Sequence, residues 1–368
     1  RKARESRIKT FFLRSIDGMI PTVDLSRLDG TATERAALAE ELRACCHEGA
    51  GVFYLVGHGI EAERFRDVFG LARAAFALPA AAKAAIDKRK SARFRGYEAA
   101  GSEKTQGRPD HREQIDTWSE CAVVPGASGY DRLLGPNQFI ADDVLPGYRS
   151  TTMEWHRRCS AVAKRLIEAL SLALRLAPDA IDRRFGSNRQ SLIKYIHYPP
   201  TPAGAQGVGL HQDSAYLTLL VPGEEAGLEC QLPSGEMMPV GARLDARTGS
   251  PAFVVNLGEA LQLMTGNYFV ATPHRVSCAR ERLAVGFFYG PSLDCDLRPL
   301  ALPADLAAAV EASERHRTAG IMPTREEIAM GIDGSLAGAA RHKTYGDLLW
   351  GYFSRAYPEL IAMHHPER

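Results

Sequence analysis

Gly209-Leu210-His211-Gln212-Asp213-Ser214-Ala215-Tyr216-Leu217-Thr218-Leu219-Leu220 is the stretch from which the rest of the chain is read. Its second half is a short apolar run with strand character. On extended backbone, positions i and i+2 share a face, so the His211 imidazole and the Asp213 carboxylate converge. A second imidazole, His274, follows 61 residues after Asp213 within Ala271-Thr272-Pro273-His274-Arg275-Val276. Two histidines and one carboxylate form the set that binds one face of an octahedral Fe(II) and leaves three positions open. A lone His-x-Asp is more often a surface pair or a capped core group, so the surrounding strands carry the weight.

Outward from that stretch, Ser191 onward reads as short β-type runs separated by Gly, Pro and Asp: Leu192–Tyr198, Tyr216–Val221, Gly227–Leu232, Ala252–Leu257, Phe269–Thr272 and Leu283–Tyr289. Many short strands predict a barrel or sandwich. Ahead of it lie an extended opener at Ile20–Leu25, a helix over Ala32–Cys46 capped by Thr31 or Thr33, and a buried strand at Gly51–Val56. An Ala-rich helical segment over Glu61–Lys88, interrupted by Pro79, and a long amphipathic helix over Tyr148–Leu176 follow. Residues 93–118 have no helical period and read as a long ordered loop. Helical patterns return after Leu302 and close with Tyr345–Tyr357. The expected organisation is a loose arm over 1–19 and one α+β domain over 20–368 with a mainly β core. Within it, 20–190 is mainly helical, 191–300 is the β core with the metal site, and 301–368 is helical.

Arg282 opens the run Arg282-Leu283-Ala284-Val285-Gly286-Phe287-Phe288-Tyr289, in which Arg282, Ala284, Gly286 and Phe288 share one face. An inward guanidinium needs an anion, and it suits the distal carboxylate of a keto acid whose other end chelates the iron. The plain alternative is an exposed pair with Glu281 or Glu259. Lys194 shares strand parity with Tyr198 and is expected to face the cavity, ready for a substrate carboxylate or phosphate, with a solvated strand-start lysine as the alternative. Phe288 is placed to stack on substrate or simply to pack. The loop around Arg93, Arg95 and Tyr97 is expected to act as a lid, with Arg95 as a substrate contact. His197 points away and is structural, and Leu263 and Met264 are apolar fillers.

Forty-five Lys plus Arg balance 44 Asp plus Glu, so no global field draws the chain to nucleic acid or an anionic membrane, and the expected partner is a small molecule. Seven scattered cysteines without a CxxC pair fit reduced thiols in a cytoplasm. No apolar run approaches the ~18 residues of a spanning helix. A monomer or weak homo-oligomer is expected.

The stretch Leu192–Pro291 resembles the isopenicillin N synthase-like branch of the iron and 2-oxoglutarate dioxygenases. The landmarks occur in order: Tyr198-Pro199-Pro200, Gly209 to Asp213, Gly227-Leu228, Val255-Asn256-Leu257-Gly258-Glu259-Ala260-Leu261-Gln262, Thr272 to Val276, and Glu281-Arg282. Ile20 to Leu25, Phe53 to Ile60, Arg95-Gly96-Tyr97 and Pro109 to Glu113 extend the resemblance over roughly 20–357. It implies a distorted double-stranded β-helix (jelly roll) framed by N- and C-terminal helices. It implies Fe(II) on His211, Asp213 and His274, and 2-oxoglutarate held by Arg282 and Tyr198. The implied activity is O2-dependent oxidation of an unactivated C–H bond in specialised metabolism such as antibiotic biosynthesis, by hydroxylation, desaturation or cyclisation.

Two positions depart from the family pattern. Ala284 stands where a Ser or Thr is common two residues after the arginine, and Ile196 where an Asn is common two before the tyrosine. These departures leave open an Fe(II) oxidase that does not use 2-oxoglutarate. A non-catalytic metal-binding jelly roll would leave Arg282 and Tyr198 without a task. Because Asp213 is present, the open ligand site of related halogenases is not expected.

Overall fold

The computed structural model describes residues 20–321 and 343–366. The arm expected over 1–19 lies outside them. Fourteen strands follow in chain order: β1 Thr22–Asp24, β2 Val52–Val56, β3 Gly96–Glu98, β4 Lys104–Thr105, β5 Arg108–Pro109, β6 Glu113–Trp118 and β7 Leu192–Tyr198, then β8 Val208–His211, β9 Leu217–Val221, β10 Leu228–Gln231, β11 Met237–Val240, β12 Phe253–Leu257, β13 His274–Val276 and β14 Arg282–Tyr289. An eight-stranded sheet runs β1-β2-β12-β9-β14-β7-β6-β3, and a four-stranded sheet runs β11-β10-β13-β8. β4 and β5 form a separate hairpin.

Strand alternation sorts the core into two compartments. Between the sheets, Ile196, Tyr198, Val254 and Ala284 meet Val208, Leu228, Cys230 and Val276. On the other face of the large sheet, Ile193, Tyr195, Leu219, Val285 and Phe287 pack under helices. The helix Tyr148–Ala173 carries Trp155, Cys159, Val162, Leu166 and Leu170 on its buried stripe, as the periodicity requires. Thr152 in it bonds Tyr195 at 2.9 Å across this boundary. The Ala32–Arg43 helix starts at Thr31, whose hydroxyl and Glu34 close a capping box. Pro79 separates Ala62–Phe76 from Ala80–Ala85. The helix Tyr345–Ala356, followed by Pro358–His364, buries Phe353, which stacks on Phe94 at 4.3 Å between ring centroids.

Two expectations need correction, and one strand was not expected. Residues 93–118 are not one loop: β3 and β6 extend the large sheet, and the β4–β5 hairpin sits between them. Their polar residues hid the strands because buried partners from distant segments neutralise them, Lys88 with Glu98 and Asp116 above all. Phe269–Thr272 forms no strand; there the backbone is held by Gln262 and Leu257 instead. Met237–Val240, with little β signal of its own, pairs with β10 and completes the small sheet.

Candidate metal centre and cavity

Register places the two imidazoles. His274 at the start of β13 lies directly opposite His211 at the end of β8, and their ring centroids are 4.2 Å apart. Asp213 follows two residues past His211, and its Oδ1 is 3.7 Å from His211 Nε2 and 3.8 Å from His274 Nε2. One ligand atom from each residue lies within 4.8 Å of the others. His211 Nδ1 donates to the Gly209 carbonyl and His274 Nδ1 to the Thr272 carbonyl, both at 2.9 Å, which leaves both Nε2 lone pairs directed at the shared space.

The carboxylate is oriented as well. Asp213 Oδ2 accepts from the Thr218 hydroxyl and, at 2.8 Å, from Asn256 Nδ2, so Oδ1 is left for a cation. The Asp213 carbonyl accepts from the Glu259 amide at 2.8 Å, and Gly258 lets the loop close, since a Cβ there would lie 2.0 Å from the Ala215 carbonyl oxygen. Burial pushes His211 down to about 3, and the neighbouring His274 adds to the depression. Burial alone would raise Asp213, but the His274 and His211 imidazoles, Thr218 and Asn256 outweigh it and hold the carboxyl below its usual range. A neutral His211 imidazole beside an ionised Asp213 carboxylate suits a divalent metal. Thr218 and Asn256 were not singled out in the sequence, although Thr218 is a polar residue inside an apolar run and Asn256 stands within a quoted landmark.

Arg282 is 2% exposed and lies opposite Tyr198, its guanidinium carbon 5.2 Å from the centre of that ring. Its Nε and Nη2 have no hydrogen-bond partner among the described residues. The surface pairing weighed above does not form: Glu281, 74% exposed, bonds His197, and Glu259 is buried. His197 is structural as expected, held between Glu113 and Glu281 at 2.8 Å each. Ile196 and Ala284 are directly opposite each other, so the two departures form one apolar patch beside Arg282 and Tyr198.

A cavity of about 800 Å³ opens on His211 and Asp213 of the triad. Lys194 and Phe288 line it, as strand parity required. Lys194 is not solvated: it is 4% exposed, with Glu103 at 3.5 Å and Asp116 at 3.7 Å. Arg95 is a correction. It is buried away from the cavity, donates to the Arg93 and Leu133 carbonyls and stacks over Trp118 at 4.8 Å. Nor does its neighbourhood form a lid: Gly96–Glu98 is an edge strand of the large sheet, and the β4–β5 hairpin lines the cavity instead. Arg112, Glu103 and Trp118 on that wall were not singled out in the sequence, and Glu103 is fixed partly by the remote Lys194 and Tyr352.

Comparison with known proteins agrees with this geometry. Residues 187–291 match the 2OG-Fe(II) oxygenase superfamily, and residues 20–142 match the family described as non-haem dioxygenase in morphine synthesis N-terminal. The 2-oxoglutarate-dependent dioxygenase frbJ of Dothideomycetidae sp. (strain 11243) is 32% identical over 301 residues, 78% of each chain. Homoarginine-6-hydroxylase 2-ODD-C23.1 of Arabidopsis thaliana is 28% identical, over 76% of this chain and 87% of its own. The crystal structure of a full-length Neurospora crassa protein in complex with alpha-KG shares the fold at a TM-score of 0.66 and 23% identity, covering 82% of this chain and 92% of that one. The jelly-roll core, the metal-ready triad and these likenesses place the chain in the Fe(II)- and 2-oxoglutarate-dependent dioxygenase family, as an oxidoreductase of which the isopenicillin N synthase-like branch is a part.

Proposed function

We propose that His211, Asp213 and His274 hold the catalytic Fe(II), and that Arg282, with Tyr198 against its face, receives the distal carboxylate of 2-oxoglutarate. The observation that carries this reading is the buried guanidinium with two unpartnered nitrogens. A cation so placed is unfavourable unless an anion completes it. The Ile196–Ala284 patch removes two polar groups from beside the anchor but leaves Arg282 free to form paired charge-assisted bonds. That weighs against an oxidase working without the keto acid.

When bound, iron and 2-oxoglutarate supply the oxidising power for C–H cleavage, with O2 consumed and the keto acid leaving as succinate and carbon dioxide. The chain's own part is placement: Thr218 and Asn256 fix the carboxylate ligand, two backbone carbonyls fix the imidazoles, and the cavity wall sets which substrate carbon faces the metal. The substrate is a small molecule of specialised metabolism, a role supported by fungal relatives named as 2-oxoglutarate-dependent dioxygenases and compatible with antibiotic biosynthesis. Lys194 and Phe288 are its proposed contacts. Seven free thiols support a reducing, cytoplasmic setting. Among the described residues no helix is long and apolar enough to cross a membrane. Scattered exposed apolar residues, such as Val123, Leu244 and Met363, support a monomer or weak homo-oligomer.

The test is anaerobic addition of Fe(II) and 2-oxoglutarate to the purified protein. A weak visible metal-to-ligand charge-transfer band is expected in the wild type and none in His211→Ala. A wild type that takes up Fe(II) and shows no band sinks the keto-acid reading.

A further inference from the structure

Resting on that reading, the wall of the cavity narrows the substrate class. The inner face of the large sheet is a ladder of cross-strand rows: Arg282 with Tyr198, Ala284 with Ile196 and Gln114, Gly286 with Lys194 and Asp116, and Phe288 with Leu192 and Trp118. The first row is the keto-acid end. Phe288 also faces Thr218, which holds the metal carboxylate Asp213. The Lys194 and Phe288 rows therefore lie on the metal side of the ladder, where an organic substrate must sit.

The cations on this wall keep donors that lack close acceptors. Lys194, buried, has its two nearest carboxylates at 3.5 and 3.7 Å, well beyond the ~2.8 Å of a charge-assisted bond. Among the described residues, Arg112 Nε and Trp118 Nε1 are buried without hydrogen-bond partners, as are the acceptors Gln114 Oε1 and Asp116 Oδ1. Glu103, by contrast, is saturated. It accepts from Arg112 at 2.8 Å, Gln114 at 2.6 Å and Tyr352 at 2.8 Å, with Lys194 as its long fourth contact. Burial opposes its ionisation, but Arg112, Lys194 and Lys88 hold it well below the usual carboxylate range. The charged side chains lining the cavity are Lys104, Arg112, Lys194 and Arg355 against Glu103 and Asp213, and Asp213 belongs to the triad.

We infer that the substrate carries a carboxylate, received by Lys194 with Arg112 beside it, and an apolar body that lies on Phe288 and Leu192. Both cations reach the same Glu103 oxygen, so they are held side by side as one anion-facing pair. Gly286, opposite Lys194, has no side chain to block the approach, and the Phe288 ring folds over it: a Cβ there would lie 2.9 Å from that ring. A charged end and a flat apolar surface are thus adjacent.

The experiment is succinate release by the Fe(II)-loaded wild type with 2-oxoglutarate, in the presence of matched probes. Phenylacetic, 3-phenylpropanoic and decanoic acids are compared with their methyl esters and with the amines of the same skeletons. Acids are expected to stimulate release at least tenfold more than their esters or amines. Lys194→Gln is expected to raise the KM of the best acid at least tenfold with kcat within threefold, and Lys194→Arg to restore most of the loss. Esters or amines that stimulate as well as acids overturn the inference. So does a wild type that forms the charge-transfer band but responds to no acid, or an unchanged KM in Lys194→Gln. Absence of the band itself counts against the proposed function instead, which keeps the two failures apart.

Discussion

Lys88 and Arg282 are equally buried, each 2% exposed, yet the chain treats them in opposite ways. The Lys88 ammonium has three acceptors for its three protons, Glu98 at 2.6 Å, Asp116 at 2.8 Å and Tyr357 at 2.9 Å. Burial alone would lower its pKa, but Asp116 and Glu98 carry it above its ordinary value. Arg282 has the same burial and two nitrogens with no acceptor among the described residues. A fully satisfied buried charge is architecture, here tying β3 and β6 to the C-terminal Tyr357. A buried charge left unsatisfied is unfavourable unless a ligand completes it. The difference separates a structural region from a functional one within a single sheet.

The comparison breaks most visibly through stability. Lys88→Met leaves Glu98 and Asp116 buried without their cation and is expected to destabilise the fold by about 3–5 kcal/mol in urea unfolding. A loss under about 1 kcal/mol would mean the network is not what holds β3 and β6 in place. Arg282→Leu sharpens the same contrast from the other side. Stability is expected to change by less than about 1 kcal/mol, because no partner is orphaned. The 2-oxoglutarate requirement is expected to rise about 10–100-fold, the worth of roughly 1.5–3 kcal/mol of bonding to a charged group. Steady-state titration of 2-oxoglutarate checks it, and an unchanged requirement would place the anchor elsewhere.

The same contrast explains what the sequence could show. β7, β9, β12 and β14 were legible because their side chains are apolar on one or both faces, and period two then assigned Lys194, Tyr198 and Arg282 to the inside. The metal triad was legible for the same reason, with His211 and Asp213 two apart and His274 set opposite by the β8–β13 register. β6 was not legible. Glu113, Gln114 and Asp116 look like loop residues until Lys83, Glu103 and Lys88 arrive from elsewhere in the chain to pair with them. Arg95 misled for a related reason: its position within Arg95-Gly96-Tyr97 suggested a contact with substrate, whereas two backbone carbonyls and the Trp118 face occupy its guanidinium. Burial of a charge by remote partners leaves no local trace, so the sequence names candidate charged residues without telling which are already satisfied.

His197 offers the smallest and finest test, one position from Tyr198 but on the opposite face of β7. Its ring is bonded to Glu113 and Glu281, with Lys83 and Tyr97 also on Glu113 and the Phe76 ring 5.5 Å away. The bond to Glu113 raises its pKa against the opposing effect of burial, and Glu281 adds to the rise. A histidine whose pKa is higher folded than unfolded contributes stability that is fully present below about 6.5, its unfolded value, and lost as pH climbs through the folded one. Wild type is therefore expected to exceed His197→Gln in stability by at most about 1 kcal/mol near pH 6, with Glu281 largely exposed, and the gap should close toward pH 9. Because this face looks away from the cavity, the 2-oxoglutarate requirement should hold steady across that series. A requirement that tracks the His197 titration would show the two faces of β7 to be coupled, and the separation between structural and functional charge would no longer follow strand parity.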